Sequence, residues 1–265
     1  MSKDSTKRDT SRIQTVENTL ALLELLVFTG EEMTLGEIAK ALSWSKSKTH
    51  RYITSLRDLH YVEQSNKTGR YRLGIRAFEI DAVLPCKWNI CSIAIPEIKE
   101  LNGRLDEIVH LATMLDGKVL YIEKLLSTNN ISISSDVGAK HPVHCTSLGK
   151  VMLANKEKAD ILSIIEKHGL QKRTERTITE INILEKELED IRRQGYAIND
   201  GELMENLRCV AAPIYDRNGN VDYSISVASE AGRLQGKRLD YVCNELLKTA
   251  ESISYKMGYR KPTTP

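Results

Sequence analysis

The chain has 265 residues, enough for two domains with separate cores. With 41% hydrophobic and 28% charged residues and a formal net charge of +2, it has no overall pull toward nucleic acid or membrane, so any basic surface must be local. Cys86, Cys91, Cys145, Cys209 and Cys243 are scattered without CxxC spacing, which suits reduced thiols in a cytoplasm and not a disulfide framework.

The leader MSKDSTKRDTSR (1–12) is polar and lacks the apolar core of a signal peptide. The most apolar run, LALLELLVF (20–28), is short and carries Glu24, so no membrane span is expected. Thr15 can cap a helix in which Val16, Leu20, Leu23, Leu26 and Val27 recur near helical period, ended by Gly30. TLGE (34–37) has the capping-box form, with Thr34 as N-cap and Glu37 three residues on. The short helix that it opens buries Leu35, Ile38, Ala39 and Leu42. Ser43 is the next expected cap, and a third helix is expected from Trp44 to about His60, burying Tyr52 or Ile53, Leu56 and Leu59.

The tight turn between those helices makes a helix-turn-helix. YVEQ, the turn NKTG and RYRLG then make a two-stranded hairpin, which completes a winged helix. Residues 44–76 hold Lys46, Lys48, Arg51, Arg57, Lys67, Arg70, Arg72 and Arg76 against Asp58 and Glu63, a net +6 where the whole chain has +2. The surface such a segment meets is phosphate. In such a fold the start of the second helix of the motif enters the major groove, which assigns Lys46, Ser47, Thr49 and His50 to base edges or the phosphates beside them. Lys48, Arg51, Lys67, Arg70 and Arg72 are assigned mostly to the backbone, fixing register. The competing reading is a solvated basic face on a small helical domain.

From Gly74 to about Arg104 the pattern is helical, with breaks expected at Pro85 and Pro96. Apolar positions on more than one side (Ile75, Phe78, Ala82, then Ile90, Ile93, Ala94, Ile98, Leu101) suggest a connecting helix packed against a second subunit. Beyond it, EIVHLATML and KVLYIEKL form a hairpin around Asp116-Gly117, and NISISS is a further strand. Helices are expected at 146–155, 157–167, 181–194 and 235–257, and strands at RCVAAPIY and YSISVAS, joined by DRNGN. This is an α+β domain on an antiparallel sheet. There is no P-loop or GxGxxG, so no nucleotide cofactor is expected.

Two stretches concentrate polar chemistry, AKHPVHCTSLGK (139–150) and INDGELMENLRC (198–209). Thr146 and Ser147 stand at a helix start, whose free N–H groups favour a carboxylate. His141, His144, Cys145 and Cys209 raise two sharper alternatives, a zinc site and a Cys–His nucleophile. HPVH lacks a second ligand pair, and no orienting third residue is evident for catalysis.

The segments LSWSKSKTHRYITSLRDLHYVEQ, KHPVHCTSLGKVMLA, RTITEINILEKELEDIRRQGYAINDGE and LRCVAAPIYDRNG resemble the IclR family of bacterial transcriptional regulators, over residues 13 to 258. The resemblance implies an N-terminal winged helix-turn-helix (13–74), a linker helix (75–100) and a GAF-like antiparallel-sheet effector-binding domain (101–265), following the leader (1–12). It implies dimers or dimers of dimers on near-palindromic double-stranded operator DNA, no enzymatic activity, and a small carboxylate as effector. Within the family, TERTIT, IRRQGY and ISYKMGY are most similar to repressors of pectin and hexuronate breakdown, which bind 2-keto-3-deoxygluconate. Carried over by motif, the effector positions are Ile133, His141, Ser147, Leu148, Asn199, Leu207, Cys209, Ser226 and Ala228. This sequence departs from the family pattern in having Asn199 where an acid is common and Ala228 where Ser is common. The other class of function that the residues allow is an enzyme using Cys145 or Cys209, with the winged helix as an accessory.

Overall fold

A computed structural model of the protein describes residues 13–77, 79, 80, 89–128 and 135–261. Its contacts divide the chain after Trp88 into two units. Among the described residues no helix is long and apolar enough to cross a membrane.

The first unit holds α1 (Gln14–Thr29), α2 (Leu35–Ala41), α3 (Lys46–Asp58) and a hairpin of β1 (Val62–Gln64) with β2 (Tyr71–Leu73). The capping box forms in both directions: the Thr34 N–H donates to Glu37 at 2.7 Å, and the Glu37 N–H donates to Thr34 Oγ at 3.2 Å. The turn into α3 differs from the sequence reading. Ser43 takes a left-handed conformation (φ 54°) and Ser45 is the N-cap, its Oγ accepting from the Lys48 N–H at 3.2 Å. The Trp44 N–H is thereby tied back to the Ala39 carbonyl, and the Trp44 ring rests on Tyr52.

The core of this unit is Leu22, Leu26, Ile38, Tyr52, Ile53, Leu56, Val62 and Tyr71. The expected stripe of α1 is therefore corrected: Val16, Leu20 and Val27 are each 52% exposed, and the buried side is Asn18, Leu22 and Leu26. An apolar run this dense carries two acceptable stripes. Asn18 helps to select one, because its Nδ2–H donates to the Tyr52 hydroxyl at 3.1 Å. Leu59, expected to be buried, is the C-cap of α3 and is largely exposed, because the helix ends at Asp58.

The second unit is a six-stranded antiparallel sheet in the order β5-β4-β3-β8-β7-β6. The strands are β3 (Ile108–Leu115), β4 (Lys118–Leu125), β5 (Lys140–Pro142), β6 (Ala197–Asp200), β7 (Leu207–Tyr215) and β8 (Val221–Glu230). Its helices are α4 (Asn89–Leu105), α5 (Ser147–Ala154), α6 (Lys158–His168), α7 (Ile181–Gln194) and α8 (Gly236–Lys256). Asp116 and Gly117 both take positive φ between β3 and β4, as a primed hairpin turn requires. Strands β5 and β6 were not expected. They are short, and polar residues interrupt their alternation.

Strand alternation divides the core. Val109, Leu111, Val210, Ala212, Ile225 and Val227 pack with α4 and α8. Ala112, Val119, Tyr121, Ala197 and Ala211 pack with α5, α6 and α7. The break expected at Pro96 is corrected by α4, which runs unbroken through it. Ile90, Ala94, Ile98 and Leu101 belong to the core of this unit, whereas Ile75 is 61% exposed. The expected strand NISISS, apart from Ser135, lies outside the described residues, as do Phe78, Pro85 and Cys86.

Candidate functional site

On α3, Lys46, Ser47, His50 and Arg51 are exposed on successive turns. Thr49 is not available to DNA: it is fully buried and its Oγ donates to the Ser45 carbonyl at 3.1 Å. Its place at a base edge is therefore corrected. Lys48 lies 4.1 Å over the Trp44 ring, with its Nζ 3.2 Å from Asn18 Oδ1. Lys67 is exposed at the wing tip.

Arg70 donates to the Glu32 carbonyl at 2.8 Å and pairs with Glu37 at 3.2 Å. Arg72 pairs with Glu63 at 2.5 Å and with Glu32 at 3.2 Å. Glu32 and Glu37 lie outside residues 44–76, so the wing is closer to neutral than its own sequence suggests. Lys67→Ala is expected to weaken binding to all DNA and reduce the salt slope by about one. Ser47→Ala or His50→Ala is expected to cost roughly 1–3 kcal/mol on the operator and little on random duplex. Gel-shift titrations on both DNAs over a salt series decide between them.

In the second unit the sheet face beneath α5 carries a small cavity of about 20 Å³. Ser147 and Leu148 from the first turn of α5, Asn199 from β6, Leu207 and Cys209 from β7, and Ser226 and Ala228 from β8 all line it. Seven of the nine positions carried over by motif thus meet at one place. His141 does not line it, but stands edge-on to Tyr121, which does. Ile133 lies outside the described residues.

The sequence reading missed His110, Tyr121, Ser135, Leu203 and Met204, which also line the cavity. His110 could have been noticed as the one polar residue within IVHLA, on the strand face shared with Ile108 and Ala112. Its Nε2 is 2.8 Å from Ser135 Oγ and its Nδ1 3.3 Å from Ser226 Oγ. Burial, with Lys124 and His141 nearby, lowers its pKa to about 3, so the ring is neutral.

Thr146 caps α5, its Oγ accepting from the Gly149 N–H at 3.1 Å. A Cβ at Gly149 would lie 2.3 Å from the Val143 carbonyl oxygen, so only glycine lets the helix start approach the preceding loop this closely. The N–H groups of Ser147 and Leu148, first in the helix, have no intrahelical acceptor. Asn199 holds the other wall: its Nδ2–H donates to the Cys145 carbonyl, and its Oδ1 accepts from the Glu202 N–H at 3.2 Å. Lys150, fully buried, contacts Glu202 at 2.6 Å, Glu187 at 3.0 Å and the Ile198 carbonyl at 2.8 Å. This cation is matched within the protein and does not line the cavity.

The thiols are poor nucleophiles. Burial pushes Cys209 up to about 12 and Cys145 to about 11, with Glu202 adding to both. At pH 7 a thiol of pKa about 12 is thiolate in roughly one molecule in 10⁵. His141 and His144 part company, since His144 Nε2 lies 3.1 Å from the Gln171 carbonyl while His141 faces Tyr121. Among the described residues no three His, Cys, Asp or Glu side chains cluster as metal ligands.

A winged helix with a basic recognition helix, followed by a sheet domain with a polar cavity at a helix start, defines a DNA-binding transcription regulator. The family described as bacterial transcriptional regulator IclR C-terminal matches residues 86–255, and the IclR helix-turn-helix domain matches residues 15–66. The chain belongs to the IclR family. It is 31% identical over 246 residues to the HTH-type transcriptional regulator KdgR of Escherichia coli strain K12, covering 92% of this chain and 94% of that one. The crystal structure of the Thermotoga maritima IclR superposes with a TM-score of 0.78 at 27% identity, covering 94% of this chain and all of that one. An IclR homologue from Microbacterium hydrocarbonoxydans complexed with 4-hydroxybenzoate has the same fold, with a TM-score of 0.82 at 22% identity over 92% of this chain and 99% of that one. The family members are regulators, and the cysteine-enzyme alternative falls with that finding and with the protonated thiols.

Proposed function

We propose that the protein is a cytoplasmic repressor of a catabolic operon for small carboxylates or sugar acids, released from or retained on its operator by a keto acid such as 2-keto-3-deoxygluconate. The observation that carries this reading is the cavity at the start of α5. Among the described residues no charged side chain lines it, while hydroxyls from Ser147, Ser226, Ser135 and Tyr121 do. A monoanion there would be held by the helix N-terminus and its sugar hydroxyls by the serines. The likeness to KdgR and the aromatic acid bound by the Microbacterium homologue support a small organic acid. At about 20 Å³ the cavity has room for about one water, so binding a larger ligand requires Leu203 and Met204 to move aside. Such a movement would be the differential interaction that links ligand to DNA affinity.

Calorimetry tests this directly. The acid is expected to bind about tenfold to a hundredfold more tightly than its amide or methyl ester, because a buried donor left without its charged partner costs about 1–3 kcal/mol. Ser147→Leu or Ser226→Leu is expected to fill the cavity and leave DNA binding intact but unresponsive. Equal binding of acid and ester would remove the anion pocket.

The assembly we infer is a homodimer, or a dimer of dimers, on a near-palindromic site. Its support lies along α1 and its N-cap, where Ile13, Val16, Leu20 and Val27 follow heptad spacing and are 66%, 52%, 52% and 52% exposed. Val16→Glu with Leu20→Glu is expected to give monomers by sedimentation at micromolar concentration. Unchanged mass would move the interface elsewhere.

A further inference from the structure

The segment Pro142–Thr146 borders two cavities. Thr146 lines the one described above; Pro142, Val143 and His144 line a second, of about 260 Å³. Lys118, Lys140, Lys167 and Arg173 line this second cleft, and among the described residues no Asp or Glu does. None of these four cations has a carboxylate within ion-pair distance among the described residues. Some exposed cations of the domain are paired, Lys158 with Glu185 at 2.9 Å, Lys172 with Glu175 at 2.7 Å and Lys248 with Glu245 at 2.8 Å, and others such as Lys99, Lys186 and Lys237 are not, among the described residues; what sets these four apart is that they line one cleft.

A second observation points the same way. His168, at the end of α6, lines the cleft, and its Nε2 is buried without a hydrogen-bond partner. The ring fits only because residue 117 is glycine; a Cβ there would stand 2.8 Å from both Cδ2 and Nε2. A buried donor or acceptor without a partner is uncommon in a folded protein and asks for an explanation. The local field is positive as well. Burial is the main cause lowering the pKa of His144, and Arg173 and Lys150 lower it further.

We propose that this cleft is a second ligand site of the effector domain, built for a small polyanion, a phosphomonoester of a compact metabolite. Three lysines and an arginine supply the point charges and the fork that bind phosphate oxygens. Ile164, Ile165 and Leu170 give the cleft an apolar wall, which suits the carbon skeleton of a metabolite better than the backbone of a duplex. At about 260 Å³ the cleft is smaller than the roughly 300–1,000 Å³ of drug-sized pockets, so its occupant is small. The two cavities share one loop.

The test is calorimetry on the full chain with 3-phosphoglycerate and glycerate at constant ionic strength. The phosphorylated acid is expected to bind at least tenfold more tightly. Lys140→Glu and Lys167→Glu, with unchanged melting temperatures, are each expected to weaken it tenfold or more. Ser147→Leu, which fills the first cavity, is expected to leave 3-phosphoglycerate binding in place, so failure of the keto-acid reading and failure of this one are separable. Equal binding of the two acids, indifference to charge reversal, or loss of binding in Ser147→Leu would overturn the proposal. So would charge-reversed variants that lose affinity for random duplex DNA while no small anion binds at all.

Discussion

Lys150→Ala is expected to destabilise the second unit by about 3–5 kcal/mol, the usual effect of removing one partner from a buried ion pair. Lys150 is fully buried with Glu202 Oε1 at 2.6 Å, and Glu202 is itself buried, its Oε2 without a hydrogen-bond partner. Burial pushes the Glu202 carboxyl up, and Lys150 draws it back down. Without the lysine the carboxylate must take a proton or draw in water. The segment it anchors carries Leu203 and Met204 over the cavity, so ligand response should fail along with stability. Urea unfolding measures the loss. Replacing both partners by apolar residues, Lys150→Met with Glu202→Leu, is expected to recover most of it, since matched apolar pairs are often neutral. A shift below about 1 kcal/mol in the single variant would mean that water already screens the pair.

Acid should act on the same unit through His110. Its pKa in the folded protein lies at about 3, far below the ordinary 6.5, because burial disfavours the charged ring. A depressed pKa means that the unfolded chain takes up a proton which the folded one refuses. The stabilisation is therefore complete above pH 6.5, declines as pH falls below it, and is gone at about pH 3. Over that whole interval it amounts to about 5 kcal/mol. Half of it is lost near the middle of the range. His110→Gln can keep hydrogen bonds to Ser135 and Ser226 and cannot titrate. Its unfolding free energy should fall less steeply than that of the wild type between pH 6 and 4, where His144 and the carboxylates contribute to both. Parallel pH profiles would place His110 in contact with water.

What the sequence determined by itself was local. Thr34 and Glu37 announce their capping box because both partners lie within one turn. Asp116-Gly117 announces a hairpin because few residues take positive φ in succession, and α7 falls on 181–194 as its apolar period requires. Motif resemblance located most of the cavity lining, since the matching residues lie at strand ends and a helix start whose order along the chain is the order of the fold. Tertiary structure decided the rest, wherever two distant segments had to meet. Periodicity required that α1 bury a face, but Asn18 meeting Tyr52, 34 residues away, helped to choose which. Ile90, Ala94, Ile98 and Leu101 became core once α8 was there to cover them. Arg70 and Arg72 count as free charge until Glu32 and Glu37 fold against the wing. His110, alone among apolar neighbours, acquires Ser226 only when β3 pairs with β8, and Ser135 only when the segment before β5 folds against it. Lys150 acquires Glu202, 52 residues on, only when α5 closes over β6. A short-range signal is written in neighbouring residues, whereas the partner of a buried polar group is set by the packing that removes it from water.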